Sequence, residues 1–242
     1  MLIDFCLPIY NEEKILEKSI LTLLNYLKNQ NYNFLWQIII VINGSSDKSR
    51  LISKSLSEKY PLIKYVEYAQ AGRGNALKEY WLQSRADIVL YMDIDLAVSL
   101  DDITKLLTPI INNKADLAIG SRLMPESKIK RSFIRELSSQ SYNFLSRIIL
   151  SHHFSDMQCG FKAIKTEAFE IISPNIKSHK WFFDTELISF AKKFGYNIIE
   201  VPVDWSENRY DKRKSKVNLF FDSLKFLVNL IKLKFRLIKT RI

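Results

Sequence analysis

The chain has 242 residues, of which 47% are hydrophobic and 12% aromatic, so it is long enough to bury one sizeable core. Six glycines and six prolines exclude an extended flexible linker or low-complexity stretch. The net charge of +10 is segregated: residues 207–242 hold eleven basic and three acidic residues, and residues 122–147 hold six and two. This segregation predicts an anionic partner, which could be nucleic acid, a phosphorylated lipid or an anionic membrane.

Strands and helices are predicted to alternate over the first 120 residues. Apolar, β-branched-rich runs predict strands over 2–8, 37–43, 62–67, 87–92 and 115–119. Helical periodicity predicts helices over 12–29, 47–59, 74–85 and 100–113. Asn11 and Ser46 are predicted to start the first two helices, and Asp101 and Asp102 to lie at the start of the fourth. This order predicts an α/β fold with a doubly wound, mostly parallel sheet.

The regular alternation of predicted strands and helices ends near residue 120. A helix is predicted over 131–150, followed by short elements and a late strand over 197–203, which together are expected to close over the sheet edge. We therefore predict one domain over residues 1–216, with a regularly alternating half (1–120) and a second half (121–216).

Residues 217–242 are predicted to form a basic amphipathic helix. Polar residues recur at steps of three and four, while Leu, Ile, Val and Phe cover the remaining circumference. Charges recur throughout, which argues against a membrane-spanning helix and favours one lying in the membrane interface. The competing interpretation is a helix packed on the domain or on a partner subunit. The residues expected to contact anionic lipid are Lys225, Lys232, Lys234, Arg236, Lys239 and Arg241.

The cysteines and the first residues indicate the compartment. Cys6 and Cys159 are far apart in sequence and are predicted to be buried thiols, with no zinc site. The chain start lacks the basic region of a signal peptide, so a cytoplasmic protein is expected.

Asp93 and Asp95 are the most informative pair in the sequence. They follow the apolar run 87–92, which places paired negative charge at the carboxyl edge of the predicted sheet, where open α/β folds bind ligands. In an extended chain residues two apart project to the same side, so both carboxylates can face one ion. Mg²⁺ is commonly held by one or two carboxylates together with substrate phosphates. The pair predicts a metal–diphosphate site.

Three further loops are predicted at the same edge. Residues 7–13 combine a proline turn with an aromatic ring and an acid, which can stack on and hydrogen-bond a nucleobase. Residues 43–47 form a turn rich in hydrogen-bonding groups. Residues 72–76 open a helix with glycines that permit close backbone approach, and Arg73 there adds a forked donor for phosphate.

These stretches resemble the family 2 glycosyltransferases, which have a nucleotide-diphosphosugar-binding GT-A fold, and within them the dolichyl- or polyprenyl-phosphate sugar synthases. The matching stretches are 8–13, 43–47, 72–76, 92–96, 119–122, 159–162 and 215–217. The resemblance implies an inverting hexosyltransferase that uses Mg²⁺ or Mn²⁺ and a nucleotide-diphosphosugar donor. It implies a polyprenyl or dolichyl phosphate acceptor and a peripheral position on the cytoplasmic membrane face. It also implies that residues 1–120 are the nucleotide-binding half and residues 121–216 the acceptor half.

The predicted site residues fall into three groups. The nucleotide-sugar-binding residues are Pro8, Tyr10, Glu12, Asn43, Arg73 and Asp93. The acceptor-phosphate-binding residues are Arg122, Arg135, Ser139, Arg209 and Lys216, with Lys212 and Arg213 as further candidates in the same loop. Asp93 and Asp95 are the predicted metal ligands, and with Arg122 and Arg135 they form the predicted catalytic set. A lipid phosphate is already anionic near neutral pH, so it needs positive charge to hold it and no base.

Three departures from the family pattern affect these assignments. Ile42 and Asn43 stand where two acids are frequent, which leaves UDP and GDP both open, with UDP-glucose favoured over GDP-mannose. Ala97 cannot help to bind the ion as a Gln at that position can. The basic loop before Ser215 is longer than the family pattern and lacks its glycine.

Two alternatives remain open. A hydroxyl acceptor on a polysaccharide, glycolipid or protein would require a base, for which Asp156, Asp184 and Glu186 are candidates, although ion pairing or helix starts also explain these acids. A non-catalytic nucleotide-sugar- or nucleic-acid-binding protein is the other alternative. Nucleic acid is not expected, since such a module would interleave basic residues with exposed aromatics. An oligomer is possible.

Overall fold

A seven-stranded sheet forms the centre of the protein, as seen in a computed structural model that describes residues 1–130, 133–206 and 219–240. Side chains are not described for residues 133–135, 138 and 219–226. The strands are β1 (Leu2–Ile9), β2 (Leu35–Asn43), β3 (Ile63–Tyr68), β4 (Ile88–Met92), β5 (Leu117–Ser121), β6 (Lys128–Lys130), β7 (Phe161–Lys165), β8 (Ile198–Pro202) and β9 (Asp204–Ser206).

The order of strands in the main sheet is β3-β2-β1-β4-β7-β5-β8. All neighbours are parallel except those of β7, which runs antiparallel to β4 and β5. The first three strands add in one direction and β4 adds on the other side of β1, so the carboxyl ends of β1 and β4 flank a topological switch point. The predicted doubly wound, mostly parallel sheet is confirmed.

Helices cover both faces of the sheet. They are α1 (Leu16–Lys28), α2 (Ser49–Lys59), α3 (Arg73–Trp81), α4 (Asp102–Ile111), α5 (Phe133–Leu150), α6 (Thr166–Ile172), α7 (Phe183–Lys193) and α8 (Leu219–Lys239). Alternate residues of β4 enter the two cores: Leu90 packs with α1 and α4, whereas Tyr91 packs with α3, α6 and α7. The predicted buried thiols Cys6 and Cys159 are confirmed as free and buried.

Strand β7 corrects the expectation that the chain after residue 120 only closes over the sheet edge. Residues 161–165 lie inside the sheet, between β4 and β5. Their sequence places Lys162 in the middle of a short apolar run, and a buried strand is not expected to carry a lysine. Lys162 is nevertheless fully buried, because it forms an ion pair with Asp184 at 3.1 Å.

Two predicted helix starts are wrong. Helices α1 and α2 begin at Leu16 and Ser49, later than predicted, because Asn11 bonds to the neighbouring loop and leaves no cap for α1. The Asn11 amide oxygen accepts the backbone N–H of Ser46 at 2.7 Å. Asp102, in contrast, is the first residue of α4 as predicted.

Helix α8 packs on α5 and α7. Leu230 and Leu233 are buried in the core on that face of the sheet, and Arg236 bonds to Glu186 on α7 and to the carbonyl of Asn175. Arg236 therefore faces the domain, contrary to its predicted place in a lipid-contacting stripe. Within the described segments, no helix combines the length and apolar character needed to cross a membrane.

Candidate active site

The loops that follow β1 and β2 are joined by hydrogen bonds. The backbone N–H of Asn11 donates to the Ser45 hydroxyl at 3.1 Å, and that of Glu13 donates to Asp47 at 3.0 Å. Asn11 has a φ of 53°, a conformation that asparagine adopts more readily than most residues. These bonds hold both loops together at the carboxyl edge of the sheet.

Asn43 connects the same edge to the loop before α3. Its amide nitrogen donates to the Ile9 carbonyl at 2.7 Å, and its amide oxygen accepts the N–H of Gly72 at 3.2 Å. The side chain is 4% exposed, and its two hydrogen bonds join the end of β1 to the loop before α3. A Cβ at Gly72 would lie 2.5 Å from the His179 carbonyl oxygen, which explains the glycine there.

The first loop also contains the predicted base-binding residues. Pro8 lies in β1, opposite Val41 of β2, and Tyr10 follows the strand with 42% of its surface exposed. Glu12 is 8% exposed, and its backbone N–H donates to the Ser49 hydroxyl at 3.0 Å. Tyr10 therefore lies at the sheet edge, where the sequence predicted a ring that stacks on a base.

Asp93 and Asp95 lie in a turn, which corrects the expectation that they alternate along an extended strand. Strand β4 ends at Met92, and the backbone N–H of Leu96 donates to the Asp93 carbonyl at 3.0 Å. Leu96 adopts a φ of 50° to close this turn. Ile94, between the two acids, is buried, while the Asp93 side chain is 40% exposed. The turn thus leaves Asp93 open to a ligand.

The Asp93 carboxylate packs against Gly160, the residue before β7. A Cβ at this position would lie 2.2 Å from the Asp93 Oδ2 atom, closer than any contact allows. The absence of a side chain at Gly160 therefore permits the observed position of the carboxylate.

Arg73, the first residue of α3, bridges two acids. One terminal nitrogen donates to Asp93 at 3.1 Å and the other donates to Asp184. The guanidinium lies over the Trp181 ring at 4.2 Å from its centroid, and the side chain is only 9% exposed. The predicted phosphate-binding arginine is thus already held beside the predicted metal ligands.

Asp184 contacts two more buried groups. The Tyr91 hydroxyl donates to it, and the Lys162 ammonium lies 3.1 Å away. Burial raises the pKa of Asp184 to about 7, against the opposing effect of the Arg73 charge. Burial likewise lowers the pKa of Lys162 to about 8.

A second arginine–aspartate pair lies beside the first. Arg122 follows β5 and donates through Nε and Nη2 to Asp156, at 2.7 and 3.0 Å. Burial would raise the pKa of Asp156, but the charge and hydrogen bonds of Arg122 lower it to about 2. Burial opposes the charged form of Arg122, but the Asp156 carboxylate raises its pKa, with a smaller contribution from Asp93.

The remaining predicted acceptor residues are described only in part. Ser139 lies on α5, and its hydroxyl is buried without a hydrogen-bond partner among the described residues. The backbone of Arg135 is in the first turn of α5, but its side chain lies outside the description. Arg209, Lys212, Arg213 and Lys216 fall outside the described residues. That segment follows Ser206. The Ser206 N–H donates to the Ala97 carbonyl at 2.9 Å, and Ala97 is two residues after Asp95.

Three residues that support the site were not predicted from the sequence. Lys162 lies in one of the matching motifs, so its place in a buried run could have indicated it. Trp181 stacks on Arg73 from a different part of the chain. Glu200 accepts the N–H of Ser155 at 2.8 Å and thereby supports the loop that carries Asp156. Trp181 and Glu200 show no local sequence signal, because their partners are distant along the chain.

Three cations and three carboxylates therefore form a charged cluster at the switch point of the sheet: Arg73, Arg122, Lys162, Asp93, Asp156 and Asp184. Among the described residues no three His, Cys, Asp or Glu side chains form a ready metal site. Asp93 and Asp95 carry carboxylate oxygens, the ligand type that suits a cation whose shell is completed by substrate phosphates.

The sequence is similar to known glycosyltransferases. The model of the family described as Glycosyl transferase family 2 matches residues 4–172. The chain is 32% identical over 223 residues to Glycosyltransferase AglD of Haloferax volcanii, covering 92% of this chain and 35% of that protein. It is 32% identical over 238 residues to Dolichyl-phosphate beta-glucosyltransferase ALG5D of Trichomonas vaginalis, covering 93% and 73%. For the Dolichyl-phosphate beta-glucosyltransferase of Saccharomyces cerevisiae the identity is 29%, covering 93% and 72%.

The fold is similar to a solved structure of glucosyl-3-phosphoglycerate synthase from Mycobacterium tuberculosis in complex with Mn²⁺, UDP and glucosyl-3-phosphoglycerate. The TM-score is 0.65 at 16% identity, and the match covers 99% of this chain and 81% of that chain. At this identity the likeness supports the sheet architecture.

Proposed function

Because the chain belongs to glycosyltransferase family 2, we propose that it is a divalent-metal-dependent, inverting glucosyltransferase. Its donor is UDP-glucose and its acceptor is a polyprenyl or dolichyl phosphate. The names of the Trichomonas and Saccharomyces relatives support glucose and a lipid phosphate as the transferred group and the acceptor. The observation that carries the proposal is the Asp93–Asp95 turn beside Arg73, at the carboxyl edge of β4.

The residues present fit a Mg²⁺ or Mn²⁺ ion. Asp93 and Asp95 offer carboxylate oxygens, Asp93 is partly exposed, and Gly160 leaves room for its carboxylate. A divalent cation held there supplies positive charge that stabilises the leaving diphosphate. Arg73 lies beside the same carboxylate and adds a permanent positive charge within the proposed nucleotide-binding half, residues 1–120.

The acceptor half, residues 121–216, is proposed to hold the lipid phosphate through Arg122, Arg135 and Ser139. Asp156 orients Arg122 through Nε and Nη2, which leaves Nη1 without a hydrogen bond to the described residues. The buried Ser139 hydroxyl has an unused donor. Arg209 and Lys216 belong to the segment that starts beside Ala97, so we propose that this loop adds charge to the diphosphate or the acceptor phosphate.

The burial and arginine pairing of the three candidate bases favour a phosphate acceptor over a hydroxyl acceptor. Asp156, Asp184 and Glu186 are all at most 2% exposed, and each is paired with an arginine. A general base must reach the proton that it removes, and these carboxylates are occupied by cations. An anionic phosphate requires no such base.

Donor and metal are tested by titrating UDP and GDP separately into the protein with Mn²⁺, Mg²⁺ or EDTA. We expect metal-dependent binding of UDP, and loss of that binding in Asp93→Asn and Asp95→Asn. Tight binding in EDTA would remove the metal from the proposal, and preference for GDP would change the donor.

Acceptor and stereochemistry are tested with radiolabelled UDP-glucose and dolichyl phosphate, followed by determination of the anomeric configuration of the product. We expect a β-linked glucosyl phosphate from the α-linked donor. Transfer only to free sugar or protein hydroxyls would refute the lipid acceptor.

We further propose that the protein lies peripherally on the cytoplasmic membrane face, through α5 and α8. Their exposed large apolar side chains are Leu137, Phe144, Leu145 and Ile148 on α5, and Val228, Ile231, Phe235 and Ile238 on α8. Lys232 and Lys239 are exposed on α8 and provide positive charge for anionic lipid, each contributing about 1 kcal/mol near such a surface.

Sedimentation with anionic vesicles tests the membrane surface. Replacing both Phe235 and Ile238 by Ser is expected to weaken vesicle binding about tenfold or more, because the inserted apolar area is lost. Leu51→Ser is the control, since Leu51 is 67% exposed on α2 at the opposite face of the sheet. Equal binding by all three proteins would refute this surface and favour contact with a partner subunit.

A further inference from the structure

Asp184 is the buried carboxylate with the most cationic and hydroxyl partners in the charged cluster. It is the second residue of α7 and is fully buried. It accepts bonds from Arg73 on α3 and Tyr91 on β4, and Lys162 on β7 lies 3.1 Å away. One carboxylate thus joins four elements that meet below the proposed donor site.

Arg73 connects this buried carboxylate to the proposed metal ligand. One end of its planar guanidinium bonds to Asp184, and the other end bonds to Asp93 at 3.1 Å. Trp181 covers the guanidinium face at 4.2 Å. Because the guanidinium is rigid, fixing one end at Asp184 determines where the other end meets Asp93.

We propose that Asp184 is a positioning residue that acts on the donor site through Arg73. The Arg73 guanidinium pairs with both carboxylates, so the negative charge of Asp184 balances part of its positive charge. Without that charge the guanidinium would pair with Asp93 alone and compete with a divalent cation for the same carboxylate. This proposal rests on the proposed use of a metal and a nucleotide-diphosphosugar.

The same geometry distinguishes positioning from base catalysis. A base removes a proton from the acceptor, so its loss lowers turnover without changing the binding of UDP in the absence of acceptor. A positioning residue acts before any acceptor is present. Metal-dependent binding of UDP alone is therefore the measurement that separates the two roles.

The experiment is a double-mutant cycle on the full chain, with UDP affinity measured by calorimetry in Mn²⁺ and Mn²⁺ occupancy followed by electron paramagnetic resonance. Asp184→Asn is expected to weaken Mn²⁺-dependent UDP binding about tenfold, within the range of coupling between contacting charged residues. Arg73→Gln should weaken it as well. In the Arg73→Gln background, adding Asp184→Asn should change the affinity less than about twofold, because its effect passes through Arg73.

Asp4→Asn is the matched control. Asp4 lies near the amino end of β1, is fully buried and accepts hydrogen bonds from Tyr80, Ser84 and Gln37 instead of from the charged cluster. Its substitution should lower thermal stability and leave UDP affinity unchanged. If Asp184→Asn fails to fold because Lys162 is left unpaired, Asp184→Asn combined with Lys162→Met removes both buried charges and takes its place in the cycle.

Three results would overturn the proposal. Normal UDP affinity in Asp184→Asn with lost turnover would assign a base role. Additive losses in the double variant would show that Asp184 acts independently of Arg73. No binding of UDP by the wild-type protein would refute the proposed function itself, and this outcome is distinguishable because it does not depend on any substitution.

Discussion

Arg122, in the charged cluster, combines a structural contact with a proposed chemical role. Arg122 is proposed to hold the acceptor phosphate, yet it is also the partner of the fully buried Asp156. Loss of activity after its removal would therefore not by itself identify a phosphate-binding role.

Arg122→Ala is expected to lower the free energy of unfolding by about 3–5 kcal/mol, because it leaves Asp156 as an uncompensated buried charge. Urea unfolding measures this change. Removing both charges, in Arg122→Met with Asp156→Leu, should recover most of the lost stability. A single variant as stable as the wild type would contradict the buried ion pair.

Gly160 offers a second test at the residue scale. Gly160→Ala would place a Cβ against the Asp93 carboxylate and displace it, so Mn²⁺-dependent UDP affinity should fall about 10- to 100-fold, as for changes behind metal ligands. Calorimetry checks this. Gly195→Ala is the control: it adds strain at a φ of +79° but has no atom within 4 Å of the new Cβ, so stability should fall and affinity should not.

At the scale of secondary structure, α8 has one face in the core and one exposed face. Leu233 is fully buried in the core, whereas Ile231 is 45% exposed. The helix therefore belongs to the folded domain on one side and to the proposed membrane surface on the other.

Leu233→Ala is expected to cost about 2–5 kcal/mol of folding stability, as large-to-small changes do in a packed core. Ile231→Ala, two residues earlier on the same helix, should cost less than about 1 kcal/mol. Thermal and urea unfolding compare the two. Equal costs would show that α8 does not pack as described.

At the scale of the whole molecule, stability should depend on pH through His152 and Asp156. Burial lowers the pKa of His152 from 6.5 to about 4, so its contribution is present above pH 6.5 and is lost as the pH falls through 4. The pKa of Asp156 is about 2 in the folded protein and 3.8 otherwise, so its contribution is present above pH 3.8 and is lost towards pH 2.

Asp184, whose pKa is raised to about 7, acts in the opposite direction between pH 7 and 3.8, so His152 is measured as the difference between two proteins. In urea unfolding, the stability of the wild-type protein relative to His152→Gln should fall by about 2 kcal/mol from pH 6.5 to 4, after allowance for the partial exposure of His152. A difference that does not change with pH would contradict the lowered pKa of His152.

The sequence predicted the strands that bury continuous apolar runs, and β1, β2 and β4 lie within two residues of their predicted bounds. It did not predict β7, because the burial of Lys162 depends on Asp184, which lies on another element. It placed Asp93 and Asp95 correctly at the sheet edge. Their turn and the bridging role of Arg73 depend on tertiary contacts that no local pattern contains.

Asn43 and Gly44 form the dipeptide that is most prone to spontaneous deamidation, in which the following backbone nitrogen attacks the side-chain amide and ammonia is lost. In the folded protein both ends of the Asn43 amide are bonded, and the Gly44 N–H donates to the Tyr68 carbonyl at 2.8 Å. The attack therefore requires these loops to separate first. The rate of Asn43 deamidation, measured by mass spectrometry, should therefore report how frequently the loops at the donor edge separate. A bound nucleotide should lower this rate.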